Sequence, residues 1–106
     1  MTVAKPLPHD SGVLHVSGTA RYVDDIPVPA NCLHLAFGLS KVARGQLVSL
    51  DLAAVWAAPG VVDVITAGDL DHVPDCSPSP LEDEPLLCTG AVHYVGQPLF
   101  LVVATS

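Results

Sequence analysis

The segment QPLFLVVATS, residues 97–106, decides the fold because it carries five consecutive apolar residues at positions 99–103. A strand with one face in solvent alternates apolar and polar residues, whereas a continuous apolar run is typical of a strand covered on both faces. The segment therefore predicts a central strand. Because the sequence stops three residues later, we expect residues 99–103 to lie inside a sheet with one face covered incompletely or by another copy of the chain.

Strict alternation upstream predicts two further strands, in residues 33–40 and 46–52. The first is expected to bury one face, and the second is expected to bury three side chains. The residues concerned are Leu33, Leu35, Phe37 and Leu39, then Val48, Leu50 and Leu52. The β-branched run at residues 61–66 and the segment at 91–96 predict two more strands.

A short helix is predicted between these strands, in residues 51–60. Asp51 is the expected N-cap, because its carboxylate can accept the free backbone N–H groups of the first turn. Pro59 and Gly60 are expected to end the helix, since a proline moves the preceding residue out of the helical region. The AGDL segment, residues 67–70, predicts a turn or a single helical turn.

Two segments are expected to lack long elements. The first 30 residues predict an extended leader in which Gly12 and Gly18 break any helix and Asp24-Asp25 forms a turn. Residues 68–85 predict an exposed, mobile loop rich in proline and acid. Its acidic residues are Asp69, Asp71, Asp75, Glu82, Asp83 and Glu84.

Composition limits the classes of function. The 106 residues make one domain at most, with 50% hydrophobic and 14% charged residues, and the net charge is −7. All four Lys and Arg residues fall in residues 1–44, whereas residues 45–106 hold eight acids and no Lys or Arg. A nucleic-acid binder needs a basic stripe, so no nucleic-acid partner is expected. No apolar run reaches the ~18 residues of a membrane span and no signal-peptide core is present, so we expect a cytoplasmic protein without a membrane partner.

Motifs that carry chemistry are absent from the sequence. The cysteines, at positions 32, 76 and 88, form no C-x-x-C pair, so isolated thiols are expected. The histidines, at positions 9, 15, 34, 72 and 93, show no metal-ligand spacing. The acidic loop lacks the glycine of a calcium loop, and Ser77 and Ser79 do not lie in a nucleophile motif. We therefore predict no catalytic, cofactor-binding or metal-binding residue in this chain.

Several phrases in fixed order resemble the molybdopterin-binding subunit of xanthine dehydrogenases, in the molybdenum hydroxylase family. A proline-containing leader precedes an H-x-x-G-x-A-x-Y segment and an acidic pair followed by Ile-Pro. Here these are Pro6, Leu7, Pro8 and His9, then His15, Gly18, Ala20, Tyr22, Asp24, Asp25, Ile26 and Pro27. Residues 33–70 resemble the family's strand, strand, helix and PGV strand, and residues 90–106 resemble its G-Q-P strand.

This resemblance implies an α+β fold, the N-terminal α/β-hammerhead domain, with a mixed β-sheet, short helices and a missing last helix. Residues 1–106 would be a fragment of a longer subunit, and a bacterial form with a separate molybdenum subunit is expected because the sequence begins with Met. The parent enzyme would hydroxylate a purine with water as the oxygen source. Its molybdopterin, [2Fe–2S] clusters and FAD would lie outside this chain and pass electrons to NAD.

The fragment itself is expected to be inactive and structural. Its partners would be the remaining domains of the molybdenum subunit and the Fe–S/FAD subunit. It is also expected to self-associate or to pair its tail strand with another copy.

Other identities remain open at this point. One is an aldehyde oxidase or carbon monoxide dehydrogenase type of molybdenum hydroxylase, and another is a stand-alone β-rich interaction module. A biotinyl-type carrier is disfavoured, because Lys41 lacks the surrounding residues that such a carrier requires.

Overall fold

The computed structural model describes residues 3–106, and the chain divides into two compact units, Met1–Ala30 and Asn31–Ser106. The first unit holds a helix, α1 (Gly12–Val16), and a 3₁₀ turn at Val23–Asp25. The second holds a helix, α2 (Ala53–Trp56), and five strands. The strands are β1 (His34–Leu39), β2 (Gly45–Gln46), β3 (Val61–Thr66), β4 (Ala91–Val92) and β5 (Pro98–Ala104).

Helix α1 corrects the prediction of a leader without helix. Gly12 is its first residue and Gly18 follows its end with a φ of 73°, so the two glycines bracket the helix instead of breaking it. A glycine in the left-handed region commonly ends a helix, because it lets the following N–H groups reach the last carbonyls. Here the N–H groups of Thr19 and Ala20 both donate to the Leu14 carbonyl, at 2.9 and 3.0 Å.

The acidic pair of the leader forms a turn, as predicted. The Asp25 N–H donates to the Tyr22 carbonyl at 3.0 Å, and the Tyr22 N–H donates to Asp25 Oδ2 at 2.9 Å. The second bond is the half of a capping box in which the N3 acid accepts the N–H of the N-cap residue, while the first is a backbone bond of the turn.

Strand β5 is the central strand of a three-stranded sheet with the order β1-β5-β3, which confirms the prediction made from residues 97–106. Both neighbours pair with it antiparallel, so β1 and β3 run in the same direction without touching. All strand pairs among the described residues are antiparallel. The expected mixture of strand directions is seen only in β1 and β3, which run in the same direction but are not paired with each other. The short helices beside two antiparallel sheets confirm the α+β class.

Strand β5 has no free edge with which it could pair with another copy of the chain, because both of its edges are already paired with neighbouring strands. His34 to Leu39 follow one edge of β5, and Val61 to Thr66 follow the other. The expectation of a pairing tail is therefore wrong, and the open edges of the sheet belong to β1 and β3.

Two predicted strands are much shorter than expected. β2 and β4 pair over two residues each, and the Leu47 N–H extends the ladder by one bond to the Gly90 carbonyl at 2.7 Å. Val48 beyond it is exposed instead of buried. Residues 93–97 form a turn in place of the second half of the predicted strand.

Helix α2 begins and ends near the expected residues. The Ala53 N–H donates to Asp51 Oδ1 at 3.1 Å, as predicted for a capping carboxylate, although Leu52 occupies the N-cap position. Gly60 follows with a φ of 84° and leads directly into β3. Its carbonyl accepts the Thr105 N–H at 2.9 Å, which joins the start of β3 to the end of the chain.

Few side chains are buried. Among the described residues the buried hydrophobic ones are Val64, Leu87, Cys88 and Val92. The buried polar residues in this part of the chain are Ser40, which follows β1, and Gln97, which precedes β5. A backbone hydrogen bond joins the two. In residues 3–106 no helix has both the length and the apolar character needed to cross a membrane.

Candidate functional site

One face of the paired strands β1 and β5 is apolar and uncovered within the second unit, and on β3 it continues with Ile65 and the exposed Asp63. Leu35 and Phe37 on β1 are 64% and 48% exposed, and Leu33 and Leu39 are exposed as well. Leu35 pairs with Val103 and Phe37 with Leu101, so these side chains share a face across β1 and β5. We call the surface formed by Leu33, Leu35, Phe37, Leu39, Leu101 and Val103 the open face.

The opposite face of the same sheet carries Val64, the one buried residue of β1, β3 and β5. Val64 is in line with Val102 and Ala36, and Phe100 lies over Gly38. The prediction that β1 buries its large side chains is wrong, because all four are exposed. Ala36 on the other side of β1 is exposed as well, and Gly38 beneath the Phe100 ring is half-buried.

Because one face of the sheet is uncovered, β5 is only partly buried. All seven of its residues are half-buried and none is fully buried. This matches the expectation of an interior strand whose covering is incomplete.

The turn before β5 is built around the buried side chain of Gln97. This residue is 2% exposed, and its Oε1 accepts the His93 N–H at 2.7 Å. The Gln97 carbonyl accepts the Ser40 N–H at 2.9 Å, and the Ser40 carbonyl accepts the Gly96 N–H at 2.8 Å. Gly96 has a φ of 90°, a conformation that side chains rarely adopt. The G-Q-P phrase thus encodes a turn that locks the start of β5 to β1.

The acidic loop is exposed as predicted, and hydrogen bonds connect its two ends. The Cys76 N–H donates to the Glu84 carbonyl at 2.8 Å, and the Leu86 N–H donates to the Pro74 carbonyl at 2.9 Å. Asp75 accepts twice, from the Ser77 N–H at 2.8 Å and from the Glu84 N–H at 3.0 Å. The carboxylate of Asp75 therefore holds the backbone of residues 77 and 84 together.

At the start of this loop, Asp69 closes the predicted AGDL turn. Its Oδ2 accepts both the Thr66 hydroxyl and the Thr66 N–H at 2.7 Å. These two bonds stabilise the ionised carboxylate and hold the pKa of Asp69 below its usual value. The role of this acid is to end β3.

The histidines and cysteines are spread over different parts of the fold. His34 lies on β1, His72 in the acidic loop and His93 in the turn before β5, while His15 in the first unit lies beside Tyr22 with the ring centroids 6.0 Å apart. Across residues 3–106, no three His, Cys, Asp or Glu side chains converge in a way that could hold a metal ion. The three cysteines are free thiols, as expected: Cys32 and Cys76 are exposed and Cys88 is buried.

Residues 45–106 do not offer the groups that hold a molybdopterin cofactor. The cofactor carries a phosphate, which proteins hold with backbone N–H cradles or with Lys and Arg. Residues 45–106 contain no Lys or Arg and no glycine-rich phosphate loop, and the loop that they do present is acidic. We therefore derive no catalytic step through this group.

Comparison with known proteins gives one family. Residues 17–106 match the family model described as aldehyde oxidase and xanthine dehydrogenase, a/b hammerhead domain. Aldehyde oxidase 1 of Rattus norvegicus is 41% identical over 104 residues, which cover 98% of this chain and 7% of that protein. Xanthine dehydrogenase 1 of Arabidopsis thaliana is 41% identical over 98 residues, which cover 92% of this chain and 7% of that protein.

Solved structures give the same result. The aldehyde oxidoreductase from Desulfovibrio gigas superposes with a TM-score of 0.74 at 31% identity, over 93% of this chain and 12% of that one. Quinoline 2-oxidoreductase from Pseudomonas putida 86 superposes with a TM-score of 0.73 at 27% identity, over 100% of this chain and 14% of that one. The chain spans less than a tenth of the length of the curated relatives that it matches.

Proposed function

Because the chain belongs to the α/β-hammerhead domain family of aldehyde oxidases and xanthine dehydrogenases, we propose that it is a structural domain of a molybdenum hydroxylase subunit. The open face carries this proposal. A soluble monomer rarely leaves a contiguous apolar patch uncovered, and here the large side chains at positions 33, 35, 37 and 39 are all exposed. The domain would place this face against a further part of the same enzyme.

For the parent enzyme we propose a xanthine dehydrogenase. The Pro6-to-His9 leader and the Asp24-to-Pro27 phrase support it, together with 41% identity to a plant xanthine dehydrogenase. Such an enzyme would hydroxylate a purine with oxygen from water at a molybdenum centre. Electrons would pass through [2Fe–2S] clusters to FAD and then to NAD, all held by other segments or subunits in the cytoplasm.

An aldehyde oxidase parent is the second candidate, because the rat aldehyde oxidase reaches the same 41% identity over a slightly longer stretch. Identity over this domain therefore does not separate the two. The protein encoded by the complete gene would separate them, through its rates on xanthine and on an aldehyde, each measured with NAD and with an artificial dye as the electron acceptor.

The purified 106-residue chain is expected to hold no molybdenum and to oxidise neither xanthine nor an aldehyde, because residues 45–106 lack the basic groups and the phosphate loop that would hold the cofactor. Metal analysis by mass spectrometry and a dye-reduction assay would measure both properties. A known molybdenum hydroxylase processed in parallel serves as the control. Stoichiometric molybdopterin on the chain would overturn the assignment of a structural role.

We further expect the isolated chain to self-associate through its open face. Removing the side chain of a Leu or a Phe from water stabilises an interface by about 1.5–3 kcal/mol. The substitution Phe37→Lys should therefore lower the weight-average mass measured by sedimentation velocity over a concentration series. Val48→Lys, which adds the same charge at an exposed site outside the sheet, is the matched control. A strictly monomeric wild-type chain, or an equal effect of both variants, would contradict the proposed role of the face.

A further inference from the structure

We draw no further inference here: the strongest candidate, the apolar groove beside the end of β3 that Leu47, Leu50, Cys88 and Leu99 line, is an unpartnered surface, and nothing in the structure shows what covers it.

Discussion

Replacing Leu87 with alanine is expected to lower the free energy of unfolding by about 2–5 kcal/mol, through lost burial and the cavity left behind. Leu87 is 1% exposed and is the only side chain below 2% among the described residues. Besides Leu87, only three hydrophobic residues among the described ones are buried: Val64, Cys88 and Val92. Because a small domain is stable by only about 5–15 kcal/mol in total, this loss could unfold the chain at room temperature.

Urea unfolding followed by circular dichroism would measure the effect, at concentrations low enough to suppress self-association. Leu81→Ala is the matched control, because Leu81 is 75% exposed and lies on the acidic loop only six residues earlier. Its substitution should change the free energy of unfolding by less than about 0.5 kcal/mol. Equal effects at the two positions would mean that the packing around Leu87 contributes little to stability.

The position of β5 could be predicted because its cause is local. An apolar run with no alternation has only one kind of place in a sheet, between two neighbours and away from water on both sides. The turn at Asp69 and the bond from the Ala53 N–H to Asp51 were equally predictable, although Leu52 takes the N-cap position, because an acid two or three residues from a free N–H group needs nothing from the rest of the chain. These features follow from sequence spacing alone.

The open face could not be predicted, because alternation identifies two faces of a strand without saying which of them meets the core. On β1 the natural choice was the side with Leu35 and Phe37. Those two side chains are exposed, and the ring of Phe100, on a strand 62 residues later in the chain, packs over Gly38 on the other side. A glycine opposite an aromatic ring is a long-range pairing, and it becomes visible only when the register of the two strands is known.

The buried side chain of Gln97 was missed for a related reason. A glutamine is usually exposed, so nothing in the phrase G-Q-P indicates that its side chain is buried and accepts the His93 N–H. That contact forms only when the turn at residues 93–97 folds back on itself, so tertiary contacts decide it and a sequence motif does not.

The packing of Phe100 on Gly38 leads to the second large effect, at a position where a single methyl group does not fit. A Cβ atom added to Gly38 would overlap Phe100 Cζ and both of its Cε atoms. Gly38→Ala must therefore displace the ring or open the ladder between β1 and β5. We expect a loss of about 1–3 kcal/mol in the free energy of unfolding, which is typical of overpacking.

A double-mutant cycle would show whether the ring is the cause. Phe100→Leu on its own should destabilise the chain, but in its presence Gly38→Ala should cost less, with a coupling of about 0.5–3 kcal/mol between the two sites. Gly45→Ala on β2 is the control, because its added Cβ would have Val42 Cγ2 at 3.8 Å, an ordinary contact, as its nearest neighbour. That substitution should be neutral or slightly stabilising. Additive effects at Gly38 and Phe100 would show that the cost arises in the backbone, and that the ring does not hold β1 against β5.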